Sequence, residues 1–324
     1  MGIKNLSQLI NDYDLKKEIS KDNFKEKTKI AIDVSIMIYQ VVIAIRNSGA
    51  DLINQKGEIT SHILGLFNKT IKLLQNNIIP VYVFDGKPPN LKENVLSNRK
   101  DVRSRALQKL ETQLSDEDRI KYLKRSVYIS KKQIEECKEL FDLMGIPYIT
   151  APEEADSQCA YLVKVGLVDG VLTEDMDILT FGANKIYSNL SSFRKQSYVI
   201  ELKDILEKFE LTHDQFINFC LLLGCDYHDG IKDIEPKKLL EIFKNCDKNL
   251  KKTYEHFNIK KESIDFDKIE NVKNYFKSCP SEPKSLHDCE LKPFDKEKLL
   301  NKLVFDYNLI KRKILHKVEF IEQL

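Results

Sequence analysis

The acids of this chain stand where acids can do chemistry. The stretch "TEDMDILTF", Thr173 to Phe181, sets Glu174, Asp175 and Asp177 directly before an apolar run. Acids crowded in this way repel one another, and capping a helix would need one of them rather than three. Others occupy comparable places. Asp33 follows "IAI", Asp85 closes "VYVF", Glu153, Glu154 and Asp156 follow "YITAP", and Asp226 follows "LLLGC". Carboxylate oxygens unaccompanied by His or Cys suit hard cations such as Mg²⁺ or Mn²⁺. Two such ions roughly 3.5–4 Å apart would clamp the attacking and leaving oxygens of a phosphodiester displacement and neutralise most of the cluster.

Some of these acids have a plainer explanation. Glu153, Glu154 and Asp156 sit in a first helical turn after Pro152, where the helix dipole favours negative charge. Asp85, before "GKPP", could simply open a turn. Asp33 and the "TEDMD" acids have no equally good structural excuse. The chemical reading therefore rests on convergence.

Convergence requires a scaffold. "KIAI" and "IIPVYVF" read as buried strands ending at Asp33 and Asp85, "IPYIT" as a third strand and "DGVLT" as a fourth that ends at the acids. Helical spacing runs through "HILGLFNKTIKLL", "SKKQIEECKELFDLMG" (Ser130 cap, Gly145 stop) and "EEADSQCAYLVK". Alternating strands and helices predict an α/β fold with a mostly parallel central sheet, which gathers ligands at the C-terminal strand ends. After about Leu202 the pattern is helical only, with "THDQFINFCLLLG" capped by Thr212 and ended by Gly224. The expected division is an α/β region over 1–205 and a helical region over 206–324.

Composition narrows the class. The chain has 324 residues, 42% of them hydrophobic, and a formal net charge of +2. No apolar run is long enough to span a membrane. The N-terminal stretch lacks a signal peptide's apolar core, and Leu6 spoils a myristoylation signal. The seven cysteines form no CxxC and no zinc spacing, so they read as reduced thiols of a reducing, intracellular compartment. Charge is unevenly spread: residues 87–132 hold thirteen Lys/Arg against six Asp/Glu. A basic excursion separate from an acidic cluster suits a protein that holds a polyanion against a metal site.

At these residues the chain resembles the structure-specific 5′ nucleases, and within them the flap endonuclease branch. The stretches "MGIKNL", "IAIDVSIMIYQ", "TSHILGLFNKTIKLL", "PVYVFDGKPP", "MGIPYITAPEEADSQCAYLVK", "TEDMDILTFG" and "LLGCDY" carry the resemblance, in order and at the family's spacing. It implies a PIN-like α/β nuclease region with a helical arch over about 87–132, and a helical duplex-binding region containing a helix-hairpin turn. It places Asp33, Asp85, Glu154, Asp156, Asp175, Asp177 and Asp226 on the family's seven metal-site carboxylates. Glu154, Asp156 and Asp175 would serve one Mg²⁺ and Asp177 and Asp226 a second, with Mn²⁺ as a substitute. Asp33 and Asp85 would act through the metals or their waters.

The same resemblance puts Lys92 and Arg99 at the scissile phosphate, with Arg103 in the same basic arch among the DNA-binding residues. Arg46 and Lys69 match substrate-contacting positions, Tyr39 the aromatic that stacks on the displaced base, and Gly2 a residue whose freed amine lies near the active site. Lys232, Lys237 and Lys238 belong to the helix-hairpin turn, where the family holds duplex with backbone amides and K⁺.

This chain departs from the family in several places. Asp156 stands for a usual Glu, Lys69 for a usual Arg, and Asp233 and Glu235 for usual glycines of the turn. The C-terminal "LIKRKILHKVEFIEQL" has no recognisable motif for docking on a sliding clamp. The implied activity is Mg²⁺-dependent cleavage of branched DNA in replication and repair, by a monomer acting in the nucleus or another site of replication. A junction-resolving or 5′→3′ exoribonuclease relative, or a non-catalytic nucleic-acid-binding protein, is the alternative.

Overall fold

The computed structural model describes residues 2–323 apart from 21–23, 25–26, 47–50, 191–195, 260–263 and 279. The backbone forms two compact units, each assembled from separate stretches of chain. The first comprises Met1–Asn23, Asp85–Val95 and Thr150–Lys284; the second comprises Phe24–Phe84, Leu96–Ile149 and Ser285–Leu324.

In the first unit, β1 (Lys17–Ile19) pairs antiparallel with β7 (Ser197–Glu201), which pairs antiparallel with β6 (Lys185–Ser188). β6 runs parallel to β5 (Gly170–Leu172). The sequence reading missed β1, β6 and β7, so the strands are more mixed than the mostly parallel set it predicts. The reason is local. Ser188 and Ser197 are separated by fewer residues than the dozen or so a parallel crossover needs, so β6 and β7 must return antiparallel.

The helices of this unit are α1 (Leu6–Asp12), α7 (Ala155–Lys164), the single turn α8 (Asp177–Thr180), α9 (Leu202–Phe209), α10 (His213–Leu223), α11 (Pro236–Asn245), α12 (Leu250–His256) and α13 (Phe266–Ser278). α10 is the hub, packing on α8, α11, α12 and α13. Thr212 caps it by accepting from the Gln215 amide, and the Gln215 side chain accepts from the Thr212 amide, as the sequence "THDQ" predicts. Among the described residues, helices alone follow β7, and the chain passes residue 205 without leaving this unit.

In the second unit, β2 (Thr28–Asp33) and β3 (Ile78–Phe84) pair in parallel, from Thr28 opposite Ile78 to Asp33 opposite Val83, and β4 (Tyr148–Thr150) follows β3 in the strand order. All seven β3 residues are buried, the pattern of a parallel strand covered on both faces. α3 (Ser61–Gln75) packs on both α2 (Val34–Arg46) and α6 (Lys131–Met144). Tyr82 stacks on Phe141 with centroids 4.1 Å apart, and its hydroxyl shares a 2.8 Å hydrogen bond with Thr70.

The basic excursion is helical. α4 (Glu93–Leu110) begins in the first unit and continues in the second, and α5 (Asp116–Arg125) packs on α2. α14 (Lys296–Asn301) packs on α6 and on α15 (Lys311–Glu322).

α6 ends as its sequence predicts, with Gly145 in the left-handed region at φ 66°. A Cβ there would lie 2.0 Å from the Lys292 carbonyl oxygen, while the Lys292 amide donates to the Gly145 carbonyl. Gly145→Ala should therefore lower stability by at least about 1–2 kcal/mol, the cost of the left-handed backbone alone. An unchanged melting temperature would refute this account of the helix end.

Candidate active site

Six segments of the first unit bring polar groups to one place. The chain start docks beside the loop after α10: the Lys4 amide donates to the Gly224 carbonyl at 2.9 Å, and Lys4 Nζ donates to the Asp229 carbonyl at 2.9 Å. This sets Gly2, at φ 82°, against the acids. A Cβ on Gly2 would fall 1.9 Å from Asp175 Oδ1 and 2.9 Å from Asp177 Oδ1, so only glycine fits without displacing them.

Asp85 and Gly86 lie along the start of α7. The Gly86 amide donates to the Glu153 carbonyl at 2.6 Å, and Asp85 Oδ1 accepts from the Ala155 amide at 3.0 Å. Asp85 thus caps α7 from a distant part of the chain. Glu154, at the cap position itself, makes no capping bond and keeps its carboxylate for the site.

In "TEDMD" the three acids separate. Glu174 is exposed, whereas Asp175 and Asp177 are buried. The Asp175 amide donates to Thr173 Oγ1 at 3.0 Å, and Asp175 Oδ1 accepts from the Asp177 amide at 3.2 Å. Asp177 Oδ1 is buried and has no hydrogen-bond partner among the described residues. Burial pushes both carboxyls above the ordinary carboxylate range, and for Asp177 the neighbouring Asp175 adds to it.

A cation already stands among these acids. Lys92, on a 3₁₀ turn (Asn90–Lys92), pairs with Glu154 Oε1 and lies 3.9 Å from Asp226 Oδ2. Burial works against its ammonium, but Glu154, Asp156 and Asp226 outweigh that and hold it above the ordinary lysine value. Glu154 Oε2 accepts from the Tyr227 hydroxyl and from the Tyr275 hydroxyl, the latter at 3.1 Å. The sequence reading gave neither tyrosine a role. Tyr227 belongs to "LLGCDY", but nothing in the sequence marks Tyr275, which comes from α13.

Glu154, Asp156, Asp175, Asp177, Asp226, Lys92 and Gly2 are thus brought together, with Asp85 at the start of α7. Among the described residues, no group of three or more His, Cys, Asp or Glu side chains is arranged to hold a metal ion. With Glu154 engaged by Lys92, Tyr227 and Tyr275, that arrangement needs Lys92 to yield. The donor set itself, carboxylate oxygens that include the buried Asp177 Oδ1, fits a hard divalent cation.

The second unit holds the remaining expected residues. Asp33 Oδ1 accepts from the Ser35 amide at 2.7 Å and the Ile36 amide at 3.3 Å, so it caps α2. The sequence reading saw no local structural task for Asp33, and the structure provides one. Tyr39 is 41% exposed, not a core residue, and its hydroxyl donates to the Val127 carbonyl at 3.3 Å. Arg46 Nε pairs with Asp51 at 3.1 Å, and Lys69 Nζ donates to Gln40 at 2.9 Å. Arg99 is exposed on α4, and the Arg103 guanidinium lies 4.4 Å from the Tyr128 ring centroid.

At the expected hairpin turn of the first unit, Asp233 adopts φ 58°, the left-handed conformation a glycine would take without strain. Glu235 occupies the cap position of α11 without a capping bond, and Pro236 opens the helix. Lys232 and Lys238 are exposed, while Lys237 lies 3.8 Å from Asp12. Six cysteines are free thiols, and Cys279 lies outside the described residues. Among the described residues no helix is long and apolar enough to cross a membrane.

Family models match two stretches, the XPG N-terminal domain over residues 1–106 and the XPG I-region over residues 145–226. Flap endonuclease 1 of Aedes aegypti is 45% identical over 270 residues, which is 81% of this chain and 70% of that protein. Flap endonuclease 1 of Nematostella vectensis is 45% identical over 253 residues, 75% of this chain and 67% of that one. Among solved structures, flap endonuclease-1 from Methanococcus jannaschii superposes with a TM-score of 0.73 at 34% identity, covering 94% of this chain and 95% of that chain. The catalytic core of Rad2 in complex with a DNA substrate gives a TM-score of 0.73 at 26% identity, covering 99% and 100%.

The raised carboxyls carry a sign for stability. A carboxyl whose pKa is raised on folding costs stability once it must ionise, so the loss grows as pH rises above the ordinary carboxylate range. In chelator at pH 7, Asp177→Asn should therefore be more stable than wild type, because it removes the charge that burial disfavours. The gap should close near pH 4. Urea unfolding at both pH values tests this, and a less stable variant at pH 7 would contradict it.

Proposed function

Because the chain belongs to the flap endonuclease branch of the structure-specific 5′ nucleases, we propose that its buried carboxylates hold two divalent cations at which branched DNA is cut. The protein is a structure-specific flap endonuclease, a hydrolase of DNA phosphodiester bonds. The observation that carries the site-level reading is the all-carboxylate cluster of Glu154, Asp156, Asp175, Asp177 and Asp226 around Lys92.

Glu154, Asp156 and Asp175 would hold one Mg²⁺, and Asp177 and Asp226 a second, with Asp33 and Asp85 acting through bound water. Mn²⁺ is the expected substitute. When bound, the pair supplies an activated water and neutralises charge on the phosphate. Lys92, released from Glu154, is the ammonium that meets the scissile phosphate, and Arg99 is a second cation for it. Tyr39, exposed at 41%, offers a ring face for a displaced base. Arg46, Lys69 and Arg103 are contacts for the DNA backbone.

The partner is flapped or branched DNA, in replication and repair. The likeness to the Rad2 core, which was solved with a DNA substrate, supports this. The chain acts as a monomer in a reducing compartment where DNA is replicated, with no clamp-docking motif in its C-terminal helix. Lys232, Lys237 and Lys238 grip duplex at the hairpin turn. The positive φ of Asp233 keeps the backbone path a glycine would take there, but it places a carboxylate where K⁺ and phosphate would otherwise meet amides.

Asp175→Ala should bind a double-flap substrate about as well as wild type but lose cleavage in Mg²⁺ by at least about 10²-fold. Retained cleavage would sink the site assignment. A panel of flap, nicked, junction and single-stranded RNA substrates separates this reading from its relatives. Asp233→Gly should tighten duplex binding severalfold by removing one repulsive charge and the left-handed strain. Weaker binding would show that the acid is part of the grip.

A further inference from the structure

Glu154 has three side-chain partners, and they are divided between its two oxygens. Lys92 takes Oε1, and two phenols share Oε2. Glu154 occupies the cap position of α7 but makes no capping bond. Side chains rather than backbone therefore set the orientation of this carboxylate.

The two phenols are held firmly. The Tyr227 and Tyr275 rings lie 5.5 Å apart, and Phe276 sits 5.4 Å from Tyr227. Phe181 packs edge-on against both Tyr275, at 5.7 Å, and Phe276, at 5.1 Å. Tyr227 rides on the tight turn after α10, closed by the Cys225 amide donating to the His228 carbonyl at 2.7 Å. Both hydroxyls donate to Glu154 Oε2.

We propose that Tyr227 and Tyr275 are positioning residues for the metal site: they pin Glu154 by Oε2 and so present Oε1 to the cation that takes the place of Lys92. The inference rests on the metal-site reading above and adds to it two residues, one of them from α13 and outside every stretch that carries the family resemblance. A carboxylate fixed through one oxygen loses little freedom when the other binds an ion. Partners that orient a ligand in this way typically contribute 10–100-fold to metal affinity or activity. A hydroxyl that merely satisfied itself inside the aromatic block would contribute nothing to either.

The test uses the full chain and Mn²⁺ as the probe. Mn²⁺ binding is measured by calorimetry without DNA, and kcat and KM on a double-flap substrate, for wild type, Tyr227→Phe, Tyr275→Phe and a control, Tyr254→Phe. The control removes a phenol that bonds His228 at 2.8 Å rather than Glu154. Each of the two test variants should weaken Mn²⁺ binding by roughly 10-fold and lower kcat, leaving KM near wild type. The control should change neither. Test variants with wild-type Mn²⁺ affinity and kcat would overturn the positioning role. A wild type that neither binds Mn²⁺ nor cuts the flap would instead remove the functional reading, and this inference with it. If the buried Tyr227→Phe variant fails to fold, the half-buried Tyr275→Phe variant decides alone.

Discussion

Carboxylates taken out of water need donors or cations, and the first unit supplies too few of its own. Glu154, Asp156, Asp175, Asp177 and Asp226 all interact with Lys92. One lysine cannot balance five ionised acids, which leaves a deficit of positive charge. Two phenols on Glu154 and the Asp177 amide on Asp175 offset part of it. The remainder appears as raised carboxyls and as the unpartnered Asp177 Oδ1. A site built this way would be relaxed by the divalent cations proposed for it.

The backbone is arranged so that this cluster is not consumed by structure. α7 opens directly at the site; Asp85 takes its first amide, and Glu154, at the cap position, makes no capping bond. Gly2, free of a side chain, lets the chain start lie against Asp175 and Asp177. The aromatic block of Phe181, Tyr227, Tyr275 and Phe276 closes the other side of Glu154 and keeps the phenols pointed at it. In the second unit, Asp33 has a capping task on α2, and the exposure of Tyr39 leaves its ring available.

Much of this was legible in one dimension. Strand-end acids after apolar runs, the Ser130 and Thr212 caps and the Gly145 stop are local signals, and the structure realises each of them. The exposure of Glu174 between buried Thr173 and Asp175 also follows from local pattern, since alternate residues just past a strand end face opposite ways. The short strands β1, β6 and β7 were not legible, because three to five residues carry too little periodicity to stand out. Nor was the helix cap by Asp85, which joins residues far apart in the chain.

What the amino-acid sequence determined alone is therefore the donor chemistry: which residue types stand at which element ends, and that oxygen rather than sulfur or nitrogen lines the site. What tertiary structure decided is partnership. Lys92 on Glu154, Tyr275 on Glu154 and Gly2 against Asp175 each join residues brought together only by packing. Local sequence sets conformations within a few residues, whereas charge compensation depends on distance in space, and only the folded chain sets that.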